Sequence, residues 1–89
     1  ATIINYPKFF TPNGDGFNDT WNISGVDGSS IIYIFDRYGK LIKQISPLGT
    51  GWDGTYNGQP VFSNDYWFLI DFAENGVPKT FKSHFSLKR

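Results

Sequence analysis

The chain contains no cysteine, which excludes a disulfide framework and a thiolate metal site. It leaves the compartment open, since an aromatic core can stand without covalent staples. An excess of either charge is also missing: eight Lys and Arg offset eight Asp and Glu, for a formal net charge of zero. Lys40, Lys43, Lys79 and Lys82 form no dense run, so there is no field to attract nucleic acid or an anionic membrane surface. No apolar run approaches the roughly 20 residues that cross a bilayer as a helix. The N-terminus lacks a basic flank followed by an apolar stretch, so any ordinary export signal is expected upstream of this fragment. No segment repeats its apolar residues with a helical period, and no internal repeat is present. Catalytic constellations are equally scarce. The single histidine, His84, has no cysteine to activate, and Ser83 and Ser86 are badly placed on a strand to share a triad with it. It reads as a surface histidine, and the aspartates fall in glycine-rich turns where they serve turn geometry.

What the chain has is aromatic residues, 19% of its 89 positions. A domain this small needs such large side chains to build an interior. Glycine and asparagine clusters at 13–18, 25–30, 49–58 and 75–76 separate short runs rich in Ile, Phe, Tyr and Trp, an all-β rhythm. The last run is the clearest strand: Phe81, Ser83, Phe85 and Leu87 alternate with Lys82, His84, Ser86 and Lys88, one face inward and one outward. The runs 31–35 and 66–72 are apolar at nearly every position and read as central strands covered on both faces. Gly39 suits the left-handed position of a hairpin between Phe35 and Lys40, Asn75-Gly76 closes a second hairpin, and Asn57-Gly58 marks a third tight turn. With shorter strands near 3–6, 8–10, 21–24 and 61–62, about seven short antiparallel strands are expected, and an immunoglobulin-like β-sandwich is the natural architecture.

The stretch Phe10 to Thr20 is the most distinctive. Gly14 and Gly16 permit positive φ, while Asn13, Asp15, Asn18 and Asp19 supply oxygens. Those four, with the Phe17 carbonyl, compose a loop able to hold calcium, although it departs from the EF-hand: the twelfth position is Ser24 and no helices flank it. The same side chains also make Asx turns that need no ion. The aromatics Tyr6, Trp21, Tyr38, Trp52, Tyr56, Tyr66 and Trp67 admit two readings, a sugar-stacking platform or plain core and edge packing.

Phe-Phe-Thr-Pro-Asn-Gly-Asp-Gly-Phe-Asn-Asp at 9–19, Ile-Phe-Asp-Arg-Tyr-Gly-Lys at 34–40, Gly-Trp-Asp-Gly-Thr-Tyr-Asn-Gly at 51–58 and the closing aromatic strand through Leu87 and Lys88 follow one another in a fixed order. Together they resemble the gliding motility-associated C-terminal domain, the type B sorting domain of the type IX secretion system of Bacteroidota. The resemblance runs from about Tyr6 to the end. One departure is Asn64-Asp65-Tyr66, where the family often carries Gly-Thr-Tyr. It implies a single sorting domain over 1–89, excised from a larger exported adhesin or enzyme, non-catalytic and without a membrane segment of its own. The implied partners are outer-membrane translocon components, with a PorP/SprF-type outer-membrane protein among them, and the implied route leads through the periplasm to the cell surface or the medium. A signal that works behind unrelated cargoes must be read from its own surface, which directs attention to three loops, 11–19, 36–39 and 51–58. The residues singled out within them are Thr11, Pro12, Asn13, Gly14, Asp15, Gly16, Asn18 and Asp19; Asp36, Arg37, Tyr38 and Gly39; and Trp52, Asp53 and Gly54. Strand addition at Phe81 to Lys88 is a second mode of recognition. The alternative function is a carbohydrate-binding or calcium-stabilised adhesive sandwich.

Overall fold

The computed structural model describes residues 6–12, 19–24, 26 and 28–88, and among them it is all-β. Seven strands are present: β1 (Phe9–Phe10), β2 (Ile31–Phe35), β3 (Leu41–Ile45), β4 (Thr55–Tyr56), β5 (Gln59–Pro60), β6 (Asn64–Glu74) and β7 (Val77–Leu87). Five of them form one sheet in the order β1-β7-β6-β2-β3, and β4-β5 form a small hairpin of their own. The arrangement is sandwich-like, with the five-stranded sheet as one layer. Trp21–Ser24, Trp52 and the β4-β5 hairpin supply a thinner second layer. The sheet is mixed, because β1 runs parallel to β7 with Phe9 opposite Ser86 and Phe10 opposite Leu87. Two strands are far from short: β6 and β7 pair over all 11 residues of each, from Asn64↔Leu87 to Glu74↔Val77.

The turns follow from residue chemistry. Asn75 (φ 53°) and Gly76 (φ 78°) sit left-handed between β6 and β7, as do Asn57 (φ 53°) and Gly58 (φ 79°) between β4 and β5. Two successive positive φ values are the signature of a type I′ turn, whose twist matches that of the flanking strands and whose preferred residues are Asn-Gly. The segment 21–24 contributes isolated bridges in place of a strand, with Trp21 N–H donating to Trp52 O at 2.9 Å and Trp52 N–H to Trp21 O at 2.8 Å. The pair 61–62, expected as a strand, follows β5 without joining a sheet.

One face of the sheet is buried. Ile32 and Ile34 of β2, Tyr66, Phe68 and Ile70 of β6, and Phe85 and Leu87 of β7 meet Phe10, Trp21, Ile23 and Trp52 there. Phe85 lies at the centre: its ring stacks on Trp21 at 4.0 Å and 11° and meets Trp52 edge-on at 6.0 Å. Both tryptophans face inward with their polar atoms satisfied, Trp21 Nε1 donating to Pro7 O and Trp52 Nε1 to Thr55 O, each at 2.8 Å. Such pairing keeps indole burial from costing a lost hydrogen bond.

The opposite face corrects an expectation. The strands 31–35 and 66–72 are not covered on both sides: Ile31 and Trp67 are exposed and Tyr33, Phe35 and Leu69 only half-buried. A continuous apolar run implies two covering layers only where another element exists to supply the second. Among the described residues every covering element lies on the inner side.

Candidate functional site

The turn joining β2 to β3 is built by one carboxylate. Asp36 Oδ1 accepts from the backbone N–H of Tyr38 at 2.8 Å and of Lys40 at 2.9 Å. Asp36 N–H donates to Lys40 O and Gly39 N–H to Asp36 O, each at 3.0 Å. Gly39 completes the turn at φ +83°, where a side chain would be strained although the space around it is open. This Asx-type closure spends the turn's polar groups internally and pushes Arg37 and Tyr38 outward. Tyr38 is 82% exposed, with the Arg37 guanidinium 5.3 Å from its ring centroid.

Facing this turn stands the β4-β5 hairpin. Asp53 Oδ1 accepts from Thr55 Oγ1 at 2.6 Å and from Thr55 N–H at 3.2 Å, and Val61 N–H donates to Gly54 O at 2.9 Å. Tyr66 OH donates to Phe62 O at 2.8 Å, tying the segment after β5 back to β6. The Lys40 ammonium lies 4.4 Å from the Tyr56 ring centroid and bridges turn and hairpin by a cation–π contact. Between them runs an open groove of about 350 Å³, with Tyr38, Ile42, Tyr56, Val61, Phe62 and Tyr66 among its walls. Phe62 is 88% exposed. Two aromatic rings held this far into water at the lips of one apolar groove are what an interaction surface looks like.

The structure thus brings together two of the three loops singled out from sequence. Asp36, Arg37 and Tyr38 line the groove, and Gly39 makes their turn possible. Asp53 is exposed beside the hairpin, whereas Trp52 and Gly54 are buried and present no surface to a partner. That is a correction for those two: the indole is spent on the core and on Thr55. Thr11 and Pro12 are half-buried and follow β1, on the opposite edge of the sheet from β2 and β3 but at the same strand end as the β2-β3 turn. Asn13, Gly14, Asp15, Gly16 and Asn18 lie outside the described residues. So does most of the expected calcium ligand set, of which Asp19 alone is described, half-buried. Among the described residues no group of three His, Cys, Asp or Glu is placed to hold a metal ion.

Sequence reasoning included Tyr56 through the loop 51–58 but missed Lys40, Ile42, Val61, Phe62 and Tyr66 as companions of the turn. The available signal was Pro60, which cannot continue an interior strand and so frees Val61 and Phe62 from the sheet. The seven aromatics do not gather into one exposed platform. Trp21, Trp52 and Tyr66 are core, Tyr6 and Tyr56 are half-buried, and Tyr38 and Trp67 are exposed on different surfaces. His84 is exposed, its ring 6.0 Å from that of Trp67.

The fold defines an all-β module built on an aromatic core, with an open groove between two of its tight turns. Comparison with known families gives the particular one: residues 4–87 match the CHU_C type IX secretion signal domain. The chain belongs to that family and is a sorting signal for export by type IX secretion machinery, toward the cell surface or the extracellular space. The family lends no support to the carbohydrate-binding or calcium-stabilised adhesive alternative. Comparison with curated proteins and with solved structures finds no match.

Proposed function

We propose that the type IX machinery reads this domain through the surface formed by the Asp36–Lys40 turn and the Thr55–Pro60 hairpin, and that the domain performs no catalysis. The family membership of residues 4–87 carries the sorting role. What favours this surface is its construction: the turn's polar groups are internally satisfied, so the same shape is offered whatever cargo precedes it, and exposed Tyr38 and Phe62 supply apolar anchors. The partner is an outer-membrane component of the translocon, a PorP/SprF-type protein. The cargo precedes the domain on the same polypeptide, and the route leads through the periplasm to surface attachment or release. Residues 1–89 act as one folded unit in this scheme. The loop 11–19, with Thr11, Pro12 and Asp19, is a further contact, and calcium at that loop is a separate proposal tested by comparing the unfolding midpoint in calcium and in chelator.

A second mode is strand addition to β7. Among the described residues β1 covers the free side of that strand only at Ser86 and Leu87, leaving the backbone edge from Val77 to Phe85 without a neighbouring strand. Pro78, Lys79 and Lys82 blunt that edge against indiscriminate pairing, which ranks it behind the groove.

The test is a reporter fused ahead of the domain and expressed in a bacterium with an intact type IX system. The reporter is expected outside the cells, and retained when the system is disabled. Tyr38→Ala and Phe62→Ala are expected to lower delivery about tenfold, as loss of interface anchors does, with the unfolding midpoint unchanged. Equal delivery by the double variant would remove the groove from the reading.

A further inference from the structure

The outward face of the five-stranded sheet holds a second site. Phe35, Trp67 and His84 lie side by side across β2, β6 and β7, and the next row is Tyr33, Leu69 and Lys82. Directly paired residues share a face, so these six project together, away from the core. Phe35, Trp67 and Leu69 floor a shallow hollow of about 430 Å³ whose rim includes Arg37 and Lys82. Trp67 is 41% exposed, while Trp21 and Trp52 are fully buried. An indole left in water in a chain that needs aromatics for its interior marks an interaction surface.

Charge decides what covers it. The ion pair seen among the described residues is Lys79–Glu74, so neither Arg37 nor Lys82 has a carboxylate partner there. Asp36 also lines the hollow, but its Oδ1 is engaged by the N–H groups of Tyr38 and Lys40. Elsewhere on the face, Asp65 accepts from Ser86 Oγ at 2.7 Å, and Asp71 stands between Ile31 and Thr80, one row beyond Leu69. An aromatic floor flanked by two cations that have no carboxylate partner among the described residues complements a peptide segment that presents a carboxylate beside an apolar side chain.

We infer that the Trp67 hollow is a docking site for an acidic, apolar-anchored segment of a protein partner, with Arg37 and Lys82 as its anion-pairing groups. This rests on the sorting reading only in naming the secretion machinery as the source of the segment. The hollow lies across the Asp36–Lys40 turn from the Tyr38–Phe62 groove, so the turn offers a partner two adjoining sites.

Trp67 supplies its own probe, as the tryptophan that reaches solvent. The whole domain is titrated with a short synthetic peptide of alternating aspartate and leucine, and with its serine–leucine and lysine–leucine counterparts. A saturable blue shift is expected with the aspartate peptide alone, weakening as salt is added. In Arg37→Glu/Lys82→Glu the affinity falls about tenfold or more, while the midpoint and the response of a Lys43→Glu control stay as in the parent. An absent shift, an equal shift with the serine peptide, or self-association of the free domain in sedimentation overturns the proposal, the last by making a second copy the occupant. In the export assay Lys82→Glu, at a residue that lines the hollow and not the groove, is delivered poorly, and delivery equal to the parent's overturns the hollow as a sorting contact. A parent domain that binds the acidic peptide but fails to export its reporter sinks the sorting reading and leaves the hollow's chemistry standing.

Discussion

Single residues carry uneven weight in this domain. Phe85 and Trp21 stack face to face at the centre of the core, and truncating either leaves a large cavity among rigid rings. Trp21→Ala or Phe85→Ala is expected to destabilise by about 3–5 kcal/mol, enough to unfold a domain of this size, as a chemical-denaturation curve will show. Gly51 matters by absence. It sits at φ +94°, and a Cβ there would lie 2.5 Å from the Trp21 carbonyl oxygen that accepts the bridging bond from Trp52. Gly51→Ala combines backbone strain with a clash and is expected to cost more than about 1 kcal/mol. Gly58 and Gly76 share the left-handed conformation but have open space around them, so alanine there costs only the strain. Asp36 behaves differently again, because what counts is its acceptor oxygen. Asp36→Ala is expected to lose about 1 kcal/mol and loosen the turn, while Asp36→Asn, which keeps an oxygen in place, stays close to the parent in thermal unfolding.

Among elements, β7 is the one the fold depends on. It pairs along its whole length with β6, accepts β1 beside Ser86 and Leu87, and delivers Phe85 and Leu87 to the core. Truncation after Thr80 removes all of these together, and the shortened chain is expected to lose its folded far-ultraviolet and amide NMR signatures. The β4-β5 hairpin is the opposite case. Two residues on each side are far too few to stand alone. It is held by the Trp52–Thr55, Gly54–Val61 and Phe62–Tyr66 hydrogen bonds to its surroundings. Turn chemistry made this hairpin's Asn57-Gly58 corner legible in the sequence. Its position against the Asp36–Lys40 turn was not, because that depends on where a buried indole some residues earlier anchors the segment.

For the molecule as a whole, stability rests on aromatic burial and backbone pairing, with little from charge. Formal charges cancel, and the Lys79–Glu74 pair sits partly exposed beside the Asn75-Gly76 turn that closes the β6-β7 hairpin. Exposed pairs of this kind contribute within about 1 kcal/mol and are screened by salt. The unfolding free energy is therefore expected to change by less than about 1 kcal/mol between low and high sodium chloride, whereas peptide binding at the Trp67 hollow weakens over the same range. A stable, salt-indifferent body carrying salt-sensitive contacts suits a module that must keep its shape beside changing cargoes.

Its own sequence determined the all-β class, the three Asn-Gly or glycine-centred turns and the inward face of β7, because each follows from local φ preferences or a period-two pattern. The same local logic failed for the outward face of β2 and β6. An apolar side chain states that it prefers cover but not whether any element arrives to supply it. Only tertiary structure decided that Trp21 and Trp52 go inside while Trp67 stays out, that β1 enters parallel to β7, and that the turn at 36–39 meets the hairpin at 55–60. Those outcomes depend on which strands become neighbours, a long-range choice made by competition for one small core.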